Sequence, residues 1–418
     1  MRVHDGERMS SSSAESLATP LTQRSLWAGR SLALLGIILV ALSLRILTGC
    51  MSPIYSLVAK DMQLPEMAIA VLGALAPFGF AIASFITPRI GRAIGIEWGL
   101  IVAVVLMIGS HIARALAPEW VSLAIATAFG LIGTGMGNVL LPPAVKKYFP
   151  DRIGLVTTIY VTLLALSAGI APLFAHPMSD AIGWREGFIV WASFTAIALI
   201  PWLFQLRQMR GTISHNDTIV VAKSTLKLRK SPTALAIAFM LAISSINGYV
   251  IFAWLPPLMQ GWSGIDAAQA GILLSIFGLM GLPVSLVTPI LAARVKRTDL
   301  FVYVSLALFV AGYAGLLLWP SLPYLWIIII GAGPIIFPLS LVLINLRTKS
   351  TEASMQLSGF VQVVAYAIAT LGPFSVGLIR EWTGSWASVI VFLLVICLPL
   401  AVLAPILGRG KFVEDEVG

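Results

Sequence analysis

Leu32-Ala33-Leu34-Leu35-Gly36-Ile37-Ile38-Leu39-Val40-Ala41-Leu42-Ser43-Leu44-Arg45-Ile46-Leu47 carries a single charge in a long apolar run. Thirteen uncharged residues precede Arg45 from Leu32, and fourteen follow it to Ala59. If the run crosses a bilayer, Arg45 lies near the midplane, where an arginine costs roughly 2.5–3.5 kcal/mol on insertion scales. A charge kept at that depth is a functional hypothesis by default. The rest of the chain decides whether the run does cross.

Composition answers first. Of 418 residues, 58% are apolar and 11% charged, and the mean hydropathy is +0.95. Soluble domains are about 25% charged, so a water-soluble core is excluded. The net charge of +9 reads as loop topology rather than nucleic-acid binding, because cytoplasmic loops collect Lys and Arg. Cys50 and Cys397 both fall in apolar runs, which argues against a disulfide framework or a metal site.

A crossing needs about 20 apolar residues. That measure gives twelve helices, at 32–59, 67–88, 98–117, 120–145, 153–176, 187–206, 233–259, 267–292, 299–319, 323–346, 354–379 and 386–408. The runs are too long for barrel strands and lack strand alternation. The fold class is therefore an all-α polytopic membrane protein. Of the 27 Lys and Arg, 22 fall in the tails and loops on the side of the termini. Four (Lys60, Arg114, Arg185 and Arg380) fall on the other side, and Arg45 on neither. This bias predicts cytoplasmic termini in a plasma (bacterial inner) membrane.

The organisation follows: a polar, Ser-rich cytoplasmic tail over 1–30, expected to be disordered and not a cleaved signal; a six-helix bundle over 31–206; a basic cytoplasmic linker over 207–232; a second bundle over 233–408; and a tail over 409–418. The halves repeat. Ser84-Phe85-Ile86-Thr87-Pro88 matches Ser285-Leu286-Val287-Thr288-Pro289, and Ala171-Pro172 matches Gly372-Pro373, both 201 positions on. Gly183-Trp184 matches Ser385-Trp386 at an offset of 202. Parallel six-helix repeats place a substrate site near the midplane between the halves and let them rock around it.

Twelve spans in two repeats joined by a basic linker resemble the major facilitator superfamily. Four stretches narrow the resemblance to its cyanate-permease and nitroimidazole-exporter (CynX/NimT) branch. They are Leu44-Arg45 with Ser52-Pro53; Gly135-Met136-Gly137-Asn138-Val139-Leu140-Leu141-Pro142; Ala253-Trp254-Leu255-Pro256; and Phe337-Pro338-Leu339 with Leu357-Ser358-Gly359-Phe360-Val361-Gln362 and Gly372-Pro373. Ile46 stands where that branch often has proline, and the loop Thr87-Pro88-Arg89-Ile90-Gly91-Arg92 lacks the superfamily's aspartate. The resemblance implies a small-solute transporter.

All eighteen acidic residues lie in tails, loops or near span ends, so none stands at mid-membrane to neutralise Arg45. Arg45 either fixes helix 1 through backbone carbonyls or offers its planar donor fork to an anionic or electron-rich substrate. Asn138, Asn247, Tyr249, Gln362 and Tyr366 are the polar residues that could complete a substrate site. Gln362 and Tyr366, four apart, share a helix face, and Asn247 lies 202 positions after Arg45, its approximate repeat equivalent. The bland reading for each is interhelical hydrogen bonding, worth about 0.6 kcal/mol. Pro172, Pro256 and Pro373 are candidate gating kinks. Gly133 and Gly137 form a GxxxG, whose ordinary use is close helix packing. Trp254 and His111 are expected near outer helix ends, in the aromatic belt and in surface packing.

The predicted function is secondary or facilitative transport, by alternating access, of a small anionic or polar nitrogen-containing solute. Efflux of nitroimidazole-like or drug-like compounds is the alternative. A membrane sensor lacks its signalling domain, and an embedded enzyme lacks clustered acid-base or metal residues. The expected partners are a small-molecule substrate, with or without a coupling ion, and the lipid bilayer. No cofactor, no catalytic or metal site and no nucleic acid is expected, and the chain is expected to be a monomer.

Overall fold

The computed structural model describes residues 30–209, 226–295 and 297–417. The expected tail before Arg30 and linker residues 210–225 lie outside them. Twelve described helices are long and apolar enough to cross a membrane: α1 Ser31–Gly49, α2 Glu66–Gly91, α3 Ala93–Ala115, α4 Trp120–Tyr148, α5 Ile153–Ile182, α6 Trp184–Arg207, α7 Pro232–Ser263, α8 Ala267–Ala292, α9 Thr298–Leu318, α10 Pro323–Leu346, α11 Gln356–Thr383 and α12 Trp386–Gly408. No strand occurs among the described residues. Twelve spans and an all-helical chain are as the sequence predicts. With no water in the hydrocarbon, each segment must satisfy its own backbone, which the helix does. The apolar side chains left outside, such as Phe85, Leu116, Leu371 and Val402, are the surface that lipid covers.

Helix ends follow local chemistry. Asp266 and Ser350 cap α8 and the helix leading into α11 by accepting from the backbone N–H of Gln269 and Ala353, at 2.7 and 3.1 Å, the usual N-cap role. From α2 the chain passes into α3 almost without a loop, and Gly95, at φ +84° in the first turn of α3, makes the break.

Helix 1 is not the continuous rod over 32–59 that hydropathy predicts. Regular helix stops at Ser43, Arg45 takes φ −101° and ψ −7°, and helix resumes for Ile46–Gly49. A 3₁₀ turn at Ser52–Ile54, with Pro53 inside it, then leads into a short helix over Tyr55–Asp61. The α4 glycines seat this break. A Cβ on Gly137 would fall 2.5 Å from Leu44 Cδ2, and one on Gly130 would fall 2.9 Å from Leu47 Cδ2. Small residues on α4 thus receive the two leucines that flank Arg45, and the GxxxG packs closely as expected.

Spans α1–α6 and α7–α12 form the two bundles, which meet where α2 packs on α11 and α5 on α8. Contacts across this seam run from mid-span into the halves away from the termini, here the far side. Gly73 of α2 sits against Ala253 and Pro373, Gly377 against Ala70, and Gly278 of α8 against Ala168. Ser52 donates to the Phe252 carbonyl at 2.5 Å, and Arg380 pairs with Glu66 at 3.3 Å.

Three placements correct the sequence reading. Arg114, counted from the sequence among the charges of the far side, is wholly buried in α3. His111, one turn earlier, is wholly buried as well, where surface packing was expected. Trp254 is 2% exposed and donates to the Pro373 carbonyl at 3.1 Å, so it pins α7 to α11 rather than sitting in an interfacial belt. The segment after α12 also folds back on the second bundle. Its last turn, α13 (Val413–Val417), brings Glu416 to the start of α7, where it accepts from Ser231, from the Thr233 amide at 3.0 Å and from the Thr233 hydroxyl at 2.8 Å.

Candidate substrate site

The break in α1 turns Arg45 out of the helix register, half-buried, toward the seam. Its guanidinium carbon lies 6.0 Å from the centroid of the Phe80 ring on α2, within range of a cation–π attraction. Phe80 meets two rings of the other bundle edge-on: Tyr249 of α7 at 6.0 Å and Tyr366 of α11 at 6.3 Å. Tyr249 and Tyr366 are themselves 6.4 Å apart. The three rings form a triangle of T-shaped contacts, the arrangement that aromatic quadrupoles favour. Through Phe80, Arg45 is brought beside the two tyrosine rings of the opposite bundle. One cation and three rings, from four helices of two bundles, thus share one space.

Of the six polar residues singled out from the sequence, Arg45, Tyr249 and Tyr366 are brought together. Gln362 is one turn from Tyr366 on α11, half-buried, and donates to Ser358 at 2.9 Å. Its carbonyl oxygen remains an acceptor. Asn138 is half-buried on α4. It directly follows Gly137, the residue packed on Leu44, so its backbone runs beside the Arg45 break.

Asn247 is elsewhere. It is wholly buried in the second bundle, where it accepts from Tyr313 at 2.6 Å and donates to the Ile243 carbonyl at 2.8 Å. The bond from Tyr313 of α9 is the interhelical bond of its bland reading, and its repeat relation to Arg45 does not carry it into the same space. The prolines divide likewise. Pro172 lies at the far-side seam, its ring against Gly49 and its carbonyl against Gly271. Pro373 is at the seam beside Gly73. Pro256 sits within α7, its carbonyl accepting from Gln260 at 3.2 Å.

Sequence reasoning missed two residues. Phe80 carries no signal, being one phenylalanine among nineteen. Arg114 did carry one, a charge inside a predicted span, but it lay close enough to the run's end to be counted with the far-side charges. Among the described residues no carboxylate forms an ion pair with Arg45 or Arg114. The buried acid Glu97 is on the side of the termini, held by Lys147 at 3.2 Å and by the Tyr148 hydroxyl at 2.5 Å.

Comparison with known proteins places this geometry. Residues 33–333 match the sequence profile of the Major Facilitator Superfamily. The chain is 30% identical over 388 residues to the transporter YycB of Bacillus subtilis (strain 168), covering 90% of this chain and 94% of that one. It is 27% identical to the 2-nitroimidazole transporter of Escherichia coli (strain K12), covering 91% and 96%. With the cyanate transport protein CynX of the same organism it shares 26%, over 84% and 91%. Among solved structures, a bacterial homologue of the human lysosomal transporter Spinster, inward-facing and unoccupied, superposes with a TM-score of 0.72 at 15% identity, covering 93% of this chain and 98% of that one. The nucleoside transporter NupG gives 0.73 at 11%, covering 90% and 99%.

Proposed function

The chain belongs to the Major Facilitator Superfamily, and from that premise we propose that it carries a small anionic or polar nitrogen-containing solute across the membrane, with Arg45 as the binding cation. The observation that carries this is the charge state of the site. Arg45 has no carboxylate partner among the described residues and stands beside three rings from both bundles. A ligand with an anionic or electron-rich end relieves that charge, and a flat body fits the ring faces. The resemblance to the CynX/NimT branch, supported by the relatives' own substrates, cyanate and 2-nitroimidazole, is in keeping with such a ligand.

Alternating access follows from the seam. The far half is closed by Gly73, Ala253 and Pro373 and by the Glu66–Arg380 pair. On this reading, Arg45 is reached from the side of the termini in this state. The basic bias of that side assigns it to the cytoplasm of a bacterial inner membrane. Tyr249 and Tyr366 belong to one bundle and Arg45 and Phe80 to the other, so ligand bound among them draws the bundles together. Pro172 and Pro373 serve as gate elements at the seam, Gln362 and Asn138 as orienting amides. Efflux is the second reading, favoured by the aromatic triangle, which suits a flat heteroaromatic ring.

The test is uptake and release in sealed proteoliposomes, with cyanate and a nitroimidazole as probes. Arg45→Gln is expected to stay folded and inserted yet lose transport. Transport by Arg45→Gln at unchanged affinity overturns the assignment. The direction of net flux separates uptake from efflux.

A further inference from the structure

A second cation lies one layer beyond Arg45. Arg114 is wholly buried near the far end of α3. Its Nη1 approaches Cys50 Sγ at 3.9 Å, and its guanidinium lies 4.6 Å from the Phe188 ring centroid. Nε and Nη2 have no hydrogen-bond partner. Its titratable neighbours are Cys50, Tyr55 and the buried His111, none of them a carboxylate. A buried charge left in this state is costly, and removing or lacking one partner is the costly arrangement. Arginine does not escape by losing its proton.

Arg114 lines a cavity of about 30 Å³ together with Thr48, Tyr55, Thr127 and Tyr249. Thr48 and Thr127 spend their hydroxyl protons on the carbonyls of Arg45 and Leu123, at 3.0 and 2.7 Å. The donors left for an occupant are Arg114 and the two tyrosine hydroxyls. One full positive charge with donors and no acid excludes a cation. Water could meet the donors, but it would leave the charge uncompensated. The volume holds about two water-sized bodies, which suits a monatomic or small linear or planar anion.

We propose that Arg114 and Tyr55 hold a small monovalent anion behind the closed far-side seam, as a second station on the path that begins at Arg45. Tyr249 connects the two stations, since its ring packs edge-on against Phe80, which Arg45 faces, and it also lines the Arg114 cavity. Gly73 and Ala253, which close the seam against each other, wall the same cavity. When that seam parts, Arg114 is the cation exposed to the far side. The anion site stands on its own geometry; its place on a path rests on the Arg45 reading.

The experiment is thermal unfolding of the purified full-length protein in sodium gluconate, with sodium chloride, nitrate or cyanate substituted at constant ionic strength. A ligand that binds only the folded state raises Tm with its concentration. Wild type and Arg45→Gln are both expected to show a saturable rise. Adding Arg114→Met to Arg45→Gln should abolish it, and should raise Tm in gluconate because the unpaired buried charge is gone. Tyr55→Phe should weaken the response about tenfold, the worth of one hydrogen bond to a charged group. Loss of the whole response in Arg45→Gln overturns the proposal, as does its survival in the double variant. If the Arg114 variant fails to fold, an unchanged response in Arg45→Gln/Tyr55→Phe overturns it. A response to chloride but to neither nitrate nor cyanate overturns the path assignment. Normal transport by Arg45→Gln would sink the Arg45 site and leave the Arg114 response as it was.

Discussion

Arg45 and Phe80 face each other at 6.0 Å, guanidinium carbon to ring centroid, and Phe80 in turn meets Tyr249 and Tyr366 across the bundle boundary. The charge on α1 is thereby joined to the opposite bundle through one apolar ring on α2. In the proposed transport cycle, binding at the cation and movement of the bundles are a single event.

Phe80→Leu keeps the volume apolar but removes the ring face and both edge contacts. Cation–π contacts are worth about 0.5–2 kcal/mol depending on desolvation. Substrate affinity should therefore fall about 2- to 30-fold, with expression unchanged, as measured by concentration-dependent uptake in proteoliposomes. Unchanged affinity would detach Phe80 from the site.

Gly137→Val tests whether α4 sets the break in α1. Even a Cβ there would fall 2.5 Å from Leu44 Cδ2, so either Leu44 or the helix must move. Overpacking of this kind costs about 1–3 kcal/mol. The variant should unfold at lower temperature and bind more weakly, because Leu44 adjoins Arg45. Gly359→Val, where a Cβ meets no atom within 4 Å, is the control.

Asn247→Ala separates a structural amide from a binding one. It leaves the Tyr313 hydroxyl without its 2.6 Å acceptor in the second bundle. Polar pairs inside membrane proteins average about 0.6 and reach about 1.7 kcal/mol. Stability should fall by that order, with substrate affinity unaltered. A double-mutant cycle with Tyr313→Phe should show the two losses to be non-additive. A drop in affinity without a drop in stability would return Asn247 to the site.

The far-side seam is testable by cross-linking. Ala70→Cys with Gly377→Cys places two thiols where a Cβ on Gly377 would lie 2.4 Å from the Ala70 Cβ. Disulfides need Cβ atoms about 3.5–4.5 Å apart, so a slight parting of α2 and α11 suffices. Oxidation should stop transport, and reductant should restore it. Transport continuing at full rate in fully oxidised protein would show that this seam need not open.

Glu416→Gln probes the folded-back end of the chain. Glu416 holds Ser231 and Thr233 at the first turn of α7, where a carboxylate also meets the positive end of the helix. Loss of a comparable cap costs about 1 kcal/mol. The melting temperature should fall, with anion dependence and substrate affinity unchanged.

Much of the fold was legible because the bilayer imposes simple rules. Length in apolar residues predicted the twelve spans, and the offset of 201 in Thr-Pro and Pro positions predicted two like bundles. Arg45 stood out because a charge is costly there. Within a helix apolar all round, however, nothing marks which face looks to lipid and which to the partner bundle. Phe80 is 5% exposed and Phe85 is 66% exposed, yet one turn earlier or later in the same run they read alike. Asn247 and Asn138 read alike too, and only packing shows that the amide of Asn247 is spent on Tyr313.

The sequence by itself determined a membrane-spanning, all-helical, duplicated chain with a lone mid-span cation, because composition and run length respond directly to the solvent a segment must cross. Tertiary structure alone decided that helix 1 breaks at Arg45, that three rings from three other helices gather there, and that Arg114 lies inside a bundle. Those facts depend on which glycine faces which leucine and on how two bundles meet. Such relations join residues far apart in the chain, where a hydropathy run carries no information.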